Sequence, residues 1–470
     1  MRTFNKDLEG KKGEEVTIKG WIDVRRDQGK LIFLDFKDMT GIVQGVVLPG
    51  SPAMTIAQTV RPQWVVEVKG KVNERPEKNK VLDKLNGTIE LEILDIVVLN
   101  ESETVPFDIG TDTRVVGEET RMKYRYVDLR SDRMQRNLRM RSEVFALVRN
   151  HLVERLFTEV ETPILTKSTP EGARDYLVPS RLEQGNFYAL PQSPQQYKQL
   201  LMTSAIERYF QFAKCMRDED TRGDRQPEFT QLDIEMSFVS EEDIMNLIEE
   251  LLIKIVKTLY PEKTIQAIPF PRIPYKEAME KYGIDRPDIR ENKEDPNLLA
   301  FCWVVDFPMF EKTGTLNADG SSKWTFTHNP FSGCKSEWED SVSKKENLGE
   351  IIASQYDIVL NGFEIGGGSI RNHKPELLKK VFEILGYGEE EINEKFGHML
   401  KAFTLGTPPH GGIAWGMDRL MMLLHNEASI REVIAFPKTG EGKDFMMDAP
   451  SKVSPEQLLE LGISINKKEK

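Results

Sequence analysis

The chain has 470 residues, and its 64 Lys and Arg against 76 Asp and Glu leave a net charge of −12. That length exceeds one ordinary domain and suggests two or three. With 30% charged and 39% hydrophobic residues, the composition is that of a soluble globular protein and excludes a low-complexity one. No apolar run approaches a membrane span, and the opening MRTFNKDLEGKKGEE lacks the apolar core of a signal peptide. Cys215, Cys302 and Cys334 stand far apart with no CxxC, which argues against a disulfide framework or zinc knuckle and for a reducing cytoplasm.

Residues 1 to about 105 hold five short runs rich in Val, Ile and aromatics, from VTIKGWIDVRRD to TIELEILDIVVL, separated by turn residues. Five strands of this length fit an OB-fold barrel, a common binder of oligonucleotides. Residues 106–133 read as a hinge, with Pro and Gly in PFDIGTD and a basic TRMKYRYVDLR. The acidic balance argues against a nucleic-acid binder. Residues 121–155, however, carry ten Lys and Arg against four Asp and Glu, which suits an anionic partner that must bind and leave; a solvated helix surface would show the same pattern.

The spacing of Val144, Leu147, Val148, Leu152 and Leu156 predicts an amphipathic helix over 138–157. STPEGARD, with Glu171, is punctuated by Gly and Pro and can act as a mobile lid. In FYALPQSPQQYKQLLM, Gln195 and Lys198 lie three apart and share a face if the segment is helical; Ser193 precedes them. Residues 210–238 read as two strands joined by a polar loop, TRGDRQPE, that carries Arg222 and Arg225. On the second strand Thr230, Leu232, Ile234 and Met236 alternate with Gln231, Asp233 and Glu235. On the first, Arg217 and Glu219 share a parity. A sheet face of this charge is costly to bury and well made to hold a charged ligand.

A second helix is predicted over 239–260, followed by a polar connector, IDRPDIRENKEDPN. WTFTHNPFSG offers His328 and Asn329. YDIVLNGFEIGGGSIR places Asp357 and Glu364 seven apart, on opposite faces of one straight strand unless a bulge near Asn361–Gly362 intervenes. Gly366 to Gly368 permit close backbone approach, and Arg371 follows. Near the end Met417, Leu420, Met421 and Leu424 stand at i, i+3, i+4 and i+7, so a packed helix begins with Asp418 and Arg419 just after Gly416.

The segments MRDED…RQPEFTQLD, PPHGGIAWGMDRL and TEVETPILTKSTPEGARD resemble motifs 2, 3 and 1 of the aspartyl-tRNA synthetases, class IIb members of the class II aminoacyl-tRNA synthetases. The likeness covers almost the whole chain. It implies an α+β protein: an N-terminal five-stranded OB-fold β-barrel for the anticodon (1–105), a hinge (106–133), and a class II catalytic domain with an antiparallel sheet flanked by helices (134–470). Bacterial relatives carry an inserted domain of roughly a hundred residues where this chain has only the connector near 285–297.

The resemblance also assigns residues. Arg217 would meet the α-phosphate of ATP and the aspartate, Glu219 and Phe229 the adenine, and Arg419 the γ-phosphate. Gln226, Gly416, Met417 and Asp418 complete the ATP site, and Asp357 and Glu364 would hold Mg²⁺. L-aspartate would be met by Glu171, Gln195, Lys198, Gln231, Asp233, His328 and Arg371. Arg217, Arg419 and Glu364 would be catalytic. Phe33 would stack on an anticodon base of tRNA(Asp), Gln44 would read base edges, and Arg25 and Glu90 stand as further candidates. Motif 1, with Pro163, implies a homodimer. Asn329 departs from the family, which has a second His there.

Lys198 and Arg371 would bring two cations to one small pocket, and an uncharged asparagine would leave a desolvated cation unpaired. Aspartate is therefore the expected substrate. Alternatives are charging of both tRNA(Asp) and tRNA(Asn), a tRNA-independent amino-acid ligase of this fold, against which the N-terminal barrel argues, or a non-catalytic nucleic-acid-binding relative.

Overall fold

The computed structural model describes residues 1–168, 171–221, 223–316 and 322–466. Arg222, in the loop singled out above, and Thr169 and Pro170 of STPEGARD lie outside the described residues. The chain divides into two compact units, 1–108 and 109–470.

In the first unit five strands, β1 (Glu15–Asp27), β2 (Ile32–Asp38), β3 (Gly41–Val47), β4 (Val65–Glu74) and β5 (Ile89–Asn100), close into a barrel in the order β1-β2-β3-β5-β4. Closure removes the exposed strand edges that invite mispairing. Period-two patterning drives it. Ile32, Leu34 and Phe36 of β2 are buried in the barrel core, while Phe33, Asp35 and Lys37 alternate outward. One short helix, α1 (Met54–Thr59), lies between β3 and β4.

The second unit is built on an eight-stranded sheet. Its strands are β6 (Thr158–Glu159), β7 (Arg208–Met216), β8 (Glu228–Ser237), β9 (Arg272–Pro274), β10 (Phe301–Val305), β11 (Gln355–Leu360), β12 (Phe363–Ile370) and β13 (His410–Gly416), in the order β9-β10-β11-β12-β13-β8-β7-β6. The six central strands are antiparallel; β9 and β6, at the edges, pair parallel to their neighbours. Register sorts the side chains by row. Tyr356, Gly368, Ile413, Ile234 and Phe210 lie opposite one another across five strands and face the main apolar core. The neighbouring rows, Asp357–Gly367–Ala414–Asp233–Gln211 and Gln355–Ser369–Gly412–Glu235–Tyr209, face the other way.

Helices cover both faces of the sheet. α2 runs Asp132–Val153, not 138–157. Ser131 caps it by accepting from Met134 N, and Leu156, counted in the stripe, stands beyond its end, 83% exposed with φ of 65°. The Ser-Asp pair at 131–132 was the overlooked start signal. α3 spans Gln195–Thr203; α4 (Glu241–Leu259) starts in a capping box between Ser240 and Asp243. α5 (Met417–Leu424) buries its Met–Leu stripe as the spacing predicts.

Candidate active site and nucleic-acid face

One cavity of about 380 Å³ opens on the polar face of the sheet in the second unit, and most of the expected site residues line it. β8 supplies Gln231, Asp233 and Glu235 at every second position, opposite Gly416, Ala414 and Gly412 of β13. Small residues there are a requirement: a Cβ on Gly412 would stand 2.1 Å from Glu235 Oε2. The first turns of α3 deliver Gln195 and Lys198 to the same wall, both buried.

Four charges interlock at this end. Lys198 Nζ is 2.6 Å from Asp233 Oδ1 and 3.2 Å from Glu235 Oε2. Arg371 grips Glu235 through Nε (2.9 Å) and Nη2 (3.1 Å) and donates from Nη1 to Ser369 Oγ (2.8 Å). All four are at most 3% exposed. Burial alone would raise the Glu235 carboxyl, but Arg371 and Lys198 outweigh it and bring it down to about 2. This corrects the charge argument. Lys198 and Arg371 do share one cavity, as expected, yet Asp233 and Glu235 already neutralise them, so a count of charges does not select an acid over an amide.

At the other end Arg217 and Glu219 lie past the end of β7, in the loop rather than on the strand. The Arg217 guanidinium sits over the Phe229 ring, 5.1 Å from its centroid. The remaining cations lining the cavity have acidic partners: Arg225 with Glu219 (3.2 Å), Arg419 with Asp224 (3.2 Å) and His328 with Asp357 (3.0 Å). Arg217 is the one cavity cation with no carboxylate partner among the described residues. Glu171 also lines the cavity and accepts from Ser193 Oγ at 2.6 Å.

Five expected ATP or metal residues sit differently. Met417 is wholly buried in the apolar core and does not line the cavity. Asp418 does, but its oxygens take Thr230 N (2.9 Å) and Arg141 Nη1 (2.7 Å), tying α5 to β8 and α2. The Gln226 amide is bonded both ways to the Lys438 backbone (3.0 and 2.7 Å). Asp357 and Glu364 are on two strands of a hairpin, not one. Asn361 and Gly362, with φ of 50° and 84°, form its turn, and Asn-Gly is the strongest short-range hairpin signal in a sequence. The register shift falls beyond the turn, where Val359 faces Glu364 and Ile358 faces Gly366. Asp357 accepts from Gln355 Nε2 (2.7 Å) and bonds His328 Nε2 (3.0 Å), so both its oxygens are engaged. Burial opposes the His328 imidazolium, yet Asp357 and Glu364 prevail and push it up to about 9.

Burial, and then the Asp357 charge, raise the Glu364 carboxyl, which accepts no hydrogen bond among the described residues. A divalent cation would relieve that repulsion. No group of three metal-ligating side chains is present among the described residues. Mg²⁺ can be held by a single carboxylate together with phosphate oxygens and water.

The sequence places Glu235 on the polar face beside Asp233 but assigns it no site role, and no local pattern marks Asp224.

On the barrel of the first unit, Phe33 points outward, not into the core. Arg26 is its cross-strand neighbour. Arg26 grips Asp35 at 2.8 Å through both terminal nitrogens and reaches Gln44 Oε1 at 3.2 Å, and Gln44 Nε2 donates to Glu90 (3.3 Å). These residues form one polar face around an aromatic ring. Arg25 is not on it: it pairs opposite core residue Leu34 and donates to the carbonyls of Ala57 (3.0 Å) and Gln58 (3.3 Å) behind α1. Arg26, one residue on, is the arginine on that face.

Each unit matches a known family. Residues 117–440 match the class II tRNA synthetases (D, K and N), and residues 16–99 match the OB-fold nucleic acid binding domain. The chain belongs to the class II aminoacyl-tRNA synthetases of that group. Within it, the chain is 39% identical to the aspartate–tRNA ligase of Macrococcus caseolyticus, covering 97% of this chain and 96% of that one. It is 40% identical to the aspartate–tRNA(Asp/Asn) ligase of Rubrobacter xylanophilus, covering 96% and 95%. The first alignment spans 581 positions against 470 residues here, so at least 111 (581 less 470) have no counterpart in this chain. The asparaginyl-tRNA synthetase of Pyrococcus horikoshii, solved with asparaginyl-adenylate, shares the fold at TM-score 0.73 and 20% identity, covering 97% of this chain and 100% of that one. Among the described residues no helix is long and apolar enough to cross a membrane.

Proposed function

We propose that this chain attaches L-aspartate to tRNA(Asp) in two steps, at the expense of ATP. The observation that carries the reading is the division of one cavity into a neutralised, buried end and an end where Arg217 stands unpaired over Phe229. An aspartate α-carboxylate oxygen attacks the α-phosphorus of ATP. The bond to the pyrophosphate oxygen breaks, and pyrophosphate leaves with the electron pair. A terminal ribose hydroxyl of the tRNA then attacks the aspartyl carbonyl, its proton is lost, and AMP leaves.

Phe229 stacks the adenine and Glu219 meets its amino group. Arg217 supplies a forked, charge-assisted donor to the α-phosphate, and Arg419 meets the γ-phosphate. Lys198 and Arg371 take the side-chain carboxylate, with His328 beside them. Glu171, Gln195, Gln231 and Asp233 take the rest of the amino acid. Gln226, Met417 and Asp418 act as scaffold, since their side chains are bound elsewhere. Mg²⁺, when bound, withdraws charge from phosphate oxygens; Glu364 would hold it, with Asp357 acting through His328. Little covalent chemistry is asked of the protein, only placement and charge.

The OB-fold barrel would read the anticodon, with Phe33 stacking a base and Arg26, Gln44 and Glu90 meeting edges. The chain would work as a homodimer in the cytoplasm. The exposed Val153, Leu156, Ile164 and Leu165 around edge strand β6 offer the apolar surface for it.

The test is pyrophosphate exchange into ATP with each amino acid, followed by charging of purified tRNA(Asp) and tRNA(Asn). Aspartate-dependent exchange is expected; preference for asparagine, or no exchange with either, would overturn the reading. The Rubrobacter relative is named for both tRNAs, and charging of tRNA(Asn) here would place this chain with it.

A further inference from the structure

Gln195 lines the cavity, and the end of its amide that faces inward is set by a relay behind it. The chain of logic starts at a backbone carbonyl. His410 Nδ1 lies 2.8 Å from the carbonyl oxygen of Pro408. A carbonyl only accepts, so Nδ1 carries the proton. His410 is fully buried, and that burial pushes its imidazole down to about 4, leaving the ring neutral and Nε2 an acceptor. Gln199 Nε2, 3.1 Å away, must then donate to it. Gln199 Oε1 is left to accept, and Gln195 Nε2 donates to it at 3.0 Å. Which end of an amide is oxygen is ordinarily a matter of assignment; here each link is forced by the one before. The end of Gln195 left for the cavity is Oε1.

Asp233, on the same wall, gives its Oδ1 to Lys198. An oxygen presented there by Gln195 can accept from an ammonium group. A reversed Gln195 would present an N–H to that ammonium and repel it.

We infer that His410 is a positioning residue: acting through Gln199, it makes Gln195 present oxygen to the α-ammonium group of the amino-acid substrate. The inference rests on the aspartate-activating reading and deepens it.

The experiment compares aspartate with succinate, which has both carboxylates and no amine, in pyrophosphate exchange. In His410→Leu the Gln199 amide loses its acceptor and the relay loses its polarity. The KM for aspartate is expected to rise roughly ten- to a hundredfold, the effect of a lost hydrogen bond to a charged group. The inhibition constant of succinate and the KM for ATP should move by less than about threefold, under the effect of one hydrogen bond to a charged group. His410→Gln, whose oxygen can take the Gln199 N–H, should recover most of the loss. If His410→Leu does not fold, Gln199→Met makes the same comparison with the relay cut one link nearer. Equal losses for aspartate and succinate, or none for either, would overturn the inference. Wild-type protein without aspartate-dependent exchange would instead refute the function proposed above.

Discussion

The two ends of the cavity follow opposite electrostatic plans. At the amino-acid end Lys198, Arg371, Asp233 and Glu235 form a closed, buried, self-neutralising set held at 2.6–3.2 Å. At the nucleotide end the charges are partly exposed, and Arg217 has no carboxylate partner among the described residues. A buried set of this kind adds little net charge but fixes direction: every donor and acceptor points one way before substrate arrives. An open end with a free guanidinium does the reverse. Under the proposed function it would supply uncompensated charge to draw in a polyphosphate and to meet the negative charge of the transition state. Selection therefore belongs to geometry at one end, and attraction to charge at the other.

The largest effect expected from breaking this comparison is at Arg217. Arg217→Ala should lower aspartate-dependent exchange by about 10²–10³-fold, as for loss of a transition-state donor. Stability should change by less than about 0.5 kcal/mol, because the side chain is partly exposed and unpaired. Exchange within a fewfold of wild type would end its assigned role. Glu235→Gln should do the opposite, leaving Arg371 and Lys198 under-compensated in a dry site at a cost of about 3–5 kcal/mol in denaturant unfolding. Glu219→Gln, at the exposed Arg225 pair, should cost under about 1 kcal/mol. Acid sharpens the point. Glu235 is held down to about 2, so its contribution is complete above the ordinary carboxylate range near pH 4.5 and is lost as pH falls toward 2. Wild type and Glu235→Gln should converge in stability over that window; parallel curves would show that the carboxylate is not the group concerned.

Why one end was more legible than the other follows from what sequence patterns carry. The alternation Gln231, Asp233, Glu235 and the spacing of Gln195 and Lys198 are local periodicities, and strand and helix geometry turn them directly into a shared wall. The barrel strands and the Met–Leu stripe of α5 were readable for the same reason. Pairing across distant segments leaves no such trace. That Glu235 would neutralise Arg371, 136 positions away, or that Asp357 would be held by His328 and Gln355, depends on register between strands. Arg25 against Arg26 is a one-residue question of parity. It turns on the irregular pairing between Ile22 and Val24 in β1, which no period reveals. The Asn361–Gly362 turn is different: the dipeptide was in plain view and was read as a bulge within one strand.

The barrel offers a smaller effect that separates the two units by function. Phe33→Ala removes an outward ring that the barrel core does not use. Loss of one stacking platform is worth about 1–3 kcal/mol, or roughly 5- to 150-fold in KM for tRNA. Pyrophosphate exchange, which needs no tRNA, should be unchanged. A comparable fall in exchange would mean that the ring supports the fold instead.

The smallest effect concerns Asn329, where the resemblance to the family leads to the expectation of a second His. Asn329 Oδ1 accepts from Phe331 N (3.0 Å) and Ser332 Oγ (3.3 Å), so the oxygen is turned into its own loop and the neutral Nδ2 donor remains for the cavity that Asn329 lines. His328 next to it is pushed up to about 9 and stays protonated below that pH. Neither residue changes charge between pH 6 and 7.5, and the KM for aspartate should be nearly flat there. Asn329→His places an imidazole with an ordinary value near 6.5 in that window. Its KM for aspartate should then vary a fewfold between pH 6 and 7.5, lower on the acid side where the imidazolium meets the anionic substrate. A wild-type profile that already bends near pH 6.5 would locate a titrating group elsewhere in the buried end, and the contrast between a fixed end and a responsive one would have to be redrawn around that group.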